Sequence, residues 1–242
     1  MLSKTEIKYI QSLAQKKSRD SEDVFLLEGK KMVEEVLSEF PHLIIRLYGT
    51  ASFYEDANLK PDTVKYLLIT ETELERISQL QTPHAALAII KKSPASKLDN
   101  IHWVIALDAI RDPGNLGTII RIADWFGIKQ ILCSPDCADV YNPKTVQASM
   151  GSVLRVQIIE GDLKELLPQS SQPVYAATLG GNAAQKISFE QKGTLLIGNE
   201  ARGVAFDLLK FVTTEVSIPS FGTAESLNAA VATGILLWEI NR

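Results

Sequence analysis

The sequence predicts an α/β protein in two parts: a small α/β domain, then a larger domain built on a mostly parallel sheet. Two observations carry this. From residue 101 onward, short and nearly continuous apolar strands alternate regularly with helical segments, the pattern of a sheet covered on both faces. Before that point strands and helices also occur, but they are separated from the regular region by a polar, Pro-containing stretch at 92–100. Residues 1–92 are therefore read as one domain, 93–100 as a linker and 101–242 as the second domain.

In chain order, residues 4–17 place Ile7, Ile10, Leu13 and Ala14 at helical spacing, with Lys4, Lys8, Lys16, Lys17 and Arg19 on other faces. Such a basic face is either a solvated surface or a phosphate-contacting arm. Residues 24–27 read as a strand, and the helix after Gly29 carries Met32, Val33, Val36 and Leu37 on one side. Further strands are expected at 43–50, 66–70 and 86–92, with a helix at 71–80. In the second domain strands are expected at 102–109, 129–133, 153–159, 174–178, 194–198 and 214–218. Helices are expected at 116–126, near 143–150, at 162–167 and 205–210, and after residue 228. Ligands of such sheets bind beyond the carboxyl ends of the strands.

Bulk properties narrow the function. The chain has 242 residues, 45% hydrophobic and 22% charged, with a formal net charge of −4. That acidity argues against a nonspecific polyanion binder but leaves room for local basic patches. No apolar run approaches the ~20 residues that span a bilayer. The polar N-terminus lacks a signal-peptide apolar core, so the expected location is the cytoplasm, with no membrane partner. The two cysteines, Cys133 and Cys137, and three dispersed histidines do not make up a four-ligand zinc site; no metal is expected.

Four loops hold the polar residues. The first runs from Asp108 through Pro113, Gly114, Asn115 and Gly117, with Arg121 farther into the following helix. Asn115 is placed as a cap and Arg121 as a surface ion pair unless they serve a site. The second holds Thr178, Gly180 and Gly181, a close backbone approach to a ligand or a plain turn. The third sets Glu200 and Arg202 between Gly198 and Gly203. The fourth runs from Ile218 to Ser226, Leu227 and Asn228, opening a nearly uncharged helix; Ser and Asn there are capping residues or ligands of a helix N-terminus. The dinucleotide G-x-G-x-x-G, the triphosphate G-x-x-x-x-G-K-[ST] and the hydrolase G-x-S-x-G patterns are absent.

Three segments, LDAIRDPGNLGTIIRIADWFG (107–127), LLIGNEARGV (195–204) and IPSFGTAESLNAAVATGILLWE (218–239), resemble in order and spacing the three motifs of the SpoU (TrmH-type) RNA ribose 2′-O-methyltransferases. The stretch IKYIQSLAQKKSRDSEDVFLLEGKKMVEEVL resembles the RNA-binding substrate domain often fused ahead of them. The resemblance implies a sheet with a C-terminal trefoil knot, bound S-adenosylmethionine, a homodimer with sites near the interface, and structured RNA as substrate, ribosomal favoured and transfer possible. It implies cofactor contacts at Gly198, Ile218 and Leu227, with Thr178 and Gly180 as neighbours, and a reaction centre of Asn115, Arg121, Glu200, Ser226 and Asn228. Arg121 would hold phosphate and stabilise the developing alkoxide, its part as base left open because guanidinium stays protonated. RNA contacts are expected on the N-terminal basic face and around Arg111, Arg121, Lys144 and Arg155. Ser220-Phe221 and Ala229-Ala230 depart from the family pattern. The competing expectation is a non-catalytic RNA-binding ribosome-assembly factor.

Overall fold

The computed structural model describes residues 1–62, 64–94 and 97–242. They form two compact units: Met1–Ser93 together with Tyr141–Gly151, and Pro94–Val140 together with Ser152–Arg242. Ala95 and Ser96 of the expected linker lie outside the described residues. Lys97 and Asp99, at its far end, are held to the second unit by Gln130, which donates to the Lys97 carbonyl at 2.8 Å and accepts from the Asp99 N–H at 2.8 Å.

In the first unit the expected helix at 4–17 is broken into α1 (Lys4–Ser12) and α2 (Lys16–Glu22). The reason is Arg19. Its guanidinium is buried and donates to the carbonyls of Leu13 and Ala14, both at 2.7 Å, satisfying acceptors that the end of α1 leaves open. Arg19 is thus a structural clamp and leaves the basic face, where Lys4, Lys8, Lys16 and Lys17 remain exposed. There follow β1 (Val24–Glu28), α3 (Lys30–Glu39), β2 (Ile44–Gly49), α4 (Ala51–Asp56), β3 (Tyr66–Leu68), α5 (Glu71–Ile77) and β4 (Ala86–Lys91). The strands form a sheet in the order β1-β4-β2-β3, with only β2 and β3 parallel. Ile7, Ile10 and Leu13 pack with Tyr48, Leu74, Ile77, Leu87 and Ile89 in its core.

The helix near 143–150, expected in the second domain, belongs to this first unit as α7 (Pro143–Ser149) and packs on β1. Just before it, the Tyr141 ring lies 4.8 Å from that of Phe25, with the Lys92 ammonium 5.0 Å over its face. No local pattern announces such a contact, since it depends on residues more than a hundred apart.

The second unit contains β5 (Val104–Leu107), α6 (Pro113–Trp125), β6 (Gln130–Cys133), β7 (Gln157–Glu160), α8 (Leu163–Leu166), β8 (Val174–Ala183), β9 (Thr194–Ile197), β10 (Thr214–Ser217) and α9 (Ala229–Ile240). Its six strands are all parallel, in the order β10-β8-β9-β5-β6-β7. The expected strand at 153–159 is a 3-10 turn at Ser152–Leu154 followed by the shorter β7, and the expected helix at 205–210 is a 3-10 helix at Phe206–Phe211. Two consequences of the strand order position the site. β5 and β9 are neighbours, so the first and third polar loops leave the sheet side by side. α9 packs against α6, with Gly234 facing the Ile122 side chain. Among the described residues no helix is long and apolar enough to cross a membrane.

Replacing Arg19 with Met removes the donor from two carbonyls and is expected to cost about 2–3 kcal/mol of stability. Urea unfolding measures it, and the Lys16→Ala chain should stay within about 0.5 kcal/mol of wild type.

Candidate active site

Residues of β8, the loops that follow β9 and β10, and the start of α9 line a cavity of about 600 Å³. Thr178, Gly198, Glu200, Ile218, Ser226 and Leu227 line it. Asn115, Asn228, Arg121 and Gly180 do not.

The first loop is fixed from both sides. Asp108, at the end of β5, accepts from the Ala205 N–H at 2.8 Å. Ala109 takes a left-handed conformation, φ 55°, sparsely populated for a residue with a Cβ. Its N–H donates to Ser134 Oγ at 2.9 Å and its carbonyl accepts from Asn199 Nδ2 at 2.9 Å. Burial pushes the Asp108 carboxyl up despite the Ala205 N–H, and the carboxylates of Asp207 and Asp136 add to this.

The third loop turns back on itself. Asn199 and Gly203 exchange backbone hydrogen bonds at 3.1 and 2.8 Å. A Cβ on Gly198 would come within 2.2 Å of the backbone of Gly203 and Val204, so only glycine permits this closure. The glycine pair of β8 has a different cause. A Cβ on Gly181 would lie 2.6 Å from the backbone of Glu215 and Val216, so glycine there lets β10 pack, while a Cβ on Gly180 would meet open space.

The structure joins three of the five expected reaction-centre residues in one chain of hydrogen bonds. Asn228 is the N-cap of α9, its Oδ1 accepting from the N–H groups of Ala230 at 2.9 Å and Val231 at 3.2 Å. Its Nδ2 donates to Asn115 Oδ1 at 2.8 Å. Asn115 Nδ2 donates to Glu200 Oε1 at 2.6 Å. Asn115 is not the cap of α6. Asp112 is, accepting from the Asn115 N–H at 2.8 Å, with Pro113 opening the helix. The Asn115 side chain is thereby left to the network. Capping and network membership, which read as alternatives in the sequence, coexist at Asn228 because its two amide atoms do different jobs.

Ser226 lies exposed on the cavity wall. Arg121 sits outside it, on the outer face of α6 with Thr118 and Trp125, all exposed. Arg155, expected among the RNA contacts, binds Asp124 through Nε at 2.8 Å and through a terminal nitrogen at 2.7 Å. The linkage of the loops through Asp108 and Asn199 was missed in the sequence. Both flank motif residues, and each reads locally as an ordinary turn polar.

Comparison with known proteins places this geometry. The family described as SpoU rRNA methylase matches residues 102–238, and the MRM3-like substrate binding domain matches residues 4–88. The chain belongs to the SpoU rRNA methylase family. A Bacillus subtilis relative, the 23S rRNA (guanosine(2553)-2′-O)-methyltransferase RlmP, is 30% identical over 97% of this chain and 95% of its own. The crystal structure of an AdoMet-bound rRNA methyltransferase from Sinorhizobium meliloti is similar, with TM-score 0.86 and 32% identity over 100% of this chain and 96% of that one. A Streptomyces viridochromogenes 23S rRNA (uridine(2479)-2′-O)-methyltransferase is 31% identical over 67% of this chain and 61% of its own. In this SpoU chain the three motifs are the segments that converge on the cavity and its hydrogen-bond chain.

Two predictions follow from the geometry. Because the folded Asp108 pKa is raised, wild type loses stability relative to Asp108→Asn as pH rises from about 4 through the folded value. Urea unfolding across that range should show the gap opening upward with pH, never downward. Separately, Asn228→Ser should retain the cap and lie within about 0.5 kcal/mol of wild type, while Asn228→Ala loses about 1 kcal/mol. Both sever the link to Asn115, so stability and any catalytic loss should part company in the Ser variant.

Proposed function

We propose that this chain transfers a methyl group from S-adenosylmethionine to a ribose 2′-hydroxyl of ribosomal RNA. The single observation that carries the reading is the chain from Asn228 through Asn115 to Glu200, whose last member also lines the cavity. Family membership and the activities named for its relatives support the same reaction and the ribosomal substrate.

The cavity fits the cofactor. Its wall combines apolar side chains (Ile197, Ile218, Leu227 and Leu236) with loop backbone at Gly198 and Gly203 and charged side chains of both signs at Glu200, Arg202 and Glu225. A ligand with a planar apolar base, a sulfonium and an amino-acid tail calls for that mixture, and about 600 Å³ lies in the range of small-molecule sites. Gly198, Ile218, Leu227 and Thr178 would hold it. When bound, it supplies a methyl already activated by the positive sulfur.

The protein must then place the acceptor and manage its proton. Asn115 and Asn228 each keep one amide hydrogen beyond those used in the chain, and Glu200 keeps a second oxygen. These remaining valences are suited to orienting ribose hydroxyls, with Ser226 on the wall beside them. Arg121 binds the adjoining phosphate and stabilises the developing alkoxide.

Arg121 lies outside the cavity of a single chain, which bears on assembly. α6 packs against α9, which leaves Val231, Ile235 and Trp238 exposed, and Trp125 on the Arg121 side of α6 is 85% exposed. α9 is apolar on every side, as expected of a helix covered all round. We read this face as the contact between two copies and place Arg121 at that interface. The same reading includes the knotted threading of the segment after Ile218, RNA binding by the first unit through Lys4, Lys8, Lys16 and Lys17, and work in the cytoplasm.

Mass mapping of ribose methylation in ribosomal and transfer RNA, from cells with and without this protein, tests the reaction. One 2′-O-methyl should vanish from ribosomal RNA, return with wild type and stay absent with Arg121→Ala. S-adenosylmethionine at about 100 times its Kd should raise the Tm of both chains by roughly 5–10 °C. Unchanged methylation together with no Tm shift would favour a non-catalytic RNA-binding factor.

A further inference from the structure

Two large apolar side chains border the cavity and take no part in the chemistry above. Phe221 is 99% exposed and Leu179 82% exposed, and both belong to the cavity's lining. They come from adjacent strands: Leu179 lies on β8, and Phe221 lies in the loop that follows β10. Hydrogen bonds between Ser220 Oγ and the Gly222 backbone, at 3.2 and 3.4 Å, shape the turn that presents Phe221.

We propose that Phe221, which shares the cavity lining with Leu179, stacks on the nucleobase attached to the ribose that is methylated. The inference rests on the reaction proposed above. A nucleotide that leaves the RNA stack to bring its 2′-hydroxyl to the Asn115, Asn228 and Glu200 network would place its base at the cavity mouth. The base then loses stacking that an aromatic face restores without regard to base identity. Phe221 is placed for this. It precedes Ser226 by five residues on the same loop and shares one cavity with Ser226 and Glu200. Its exposure favours the base over the cofactor. A side chain covering the cofactor would be expected against the wall, as Ile218 is, whereas the phenyl of Phe221 has almost no protein contact. Leu179 offers an apolar edge of the same rim, so a base seated there would leave water on both counts.

The test compares wild type, Phe221→Ala and Phe221→Trp as full-length proteins. The probe is 23S ribosomal RNA from cells lacking this protein, with tritiated S-adenosylmethionine as methyl donor. Phe221→Ala should lower kcat/KM for RNA roughly 5- to 150-fold, the range for loss of one base–aromatic stack. Phe221→Trp should restore most of it. The Kd for S-adenosylmethionine by calorimetry, the Tm and the sedimentation coefficient should stay at wild-type values in both. A weakened cofactor Kd in Phe221→Ala would assign the ring to the cofactor and overturn the proposal. A changed sedimentation coefficient would assign it to a contact between copies, with the same result, and unchanged kinetics would dismiss the ring altogether. If wild type itself transfers no methyl to this RNA, the proposed reaction fails first and the stacking role falls with it.

Discussion

The cap of α9 sets the polarity of the whole site. Two free N–H groups at a helix start demand an acceptor, so Asn228 must turn its Oδ1 toward Ala230 and Val231. Its Nδ2 is then forced outward and requires an acceptor in turn, which fixes Asn115 with Oδ1 toward Asn228. One Asn115 amide hydrogen is consequently aimed at Glu200, whose Oε1 accepts it. Each amide has one orientation because a helix end at one side and a carboxylate at the other leave no alternative. A secondary-structure requirement is thereby converted into an oriented set of donors.

That chain only exists because three loops, distant in sequence, leave the sheet together. Parallel strands all deliver their carboxyl ends to one edge, and placing β9 beside β5 puts the loop of Glu200 next to the loop that leads into α6. The loops are then tied by contacts that are individually modest: Asp108 to the Ala205 N–H, Asn199 to the Ala109 carbonyl, and the return of residue 203 on residue 199. Ala109 keeps its left-handed backbone because both its N–H and its carbonyl are held. Burial of Asp108 is the energetic counterpart of this arrangement: its carboxyl is harder to ionise than in water, yet the loop geometry depends on its accepting a backbone N–H.

The sequence announced the alternation of elements well, because periodic apolar patterning is local. The strands at 104–107, 130–133 and 194–197 and the long helices were legible from side-chain type alone. Asn115, Glu200 and Asn228, singled out in the sequence, are joined by hydrogen bonds across three loops. What it concealed depended on long-range partners. Arg19 looked like one more surface cation until the carbonyls of Leu13 and Ala14 were brought to it. The ion pair of Arg155 with Asp124, thirty-one residues earlier, left no local sign either. The helix at 143–149 read as the next crossover of the parallel sheet, but it packs with Phe25 and Lys92 through Tyr141 and its neighbours.

The two apparent anomalies of the site, an arginine outside the cavity and apolar side chains left in water, admit one physical explanation. Charged and aromatic groups that face solvent in a single chain gain little there, because water screens the one and hydrates the other at a cost. Both gain when a second surface covers them. Arg121 and Trp125 are exposed on α6 and Ile235 and Trp238 on α9, while Phe221 and Leu179 are exposed on the cavity lining. The proposed contact between copies would cover the first surface, and the proposed stacking on a base would cover the second, where Phe221 and Leu179 stand exposed on the cavity lining.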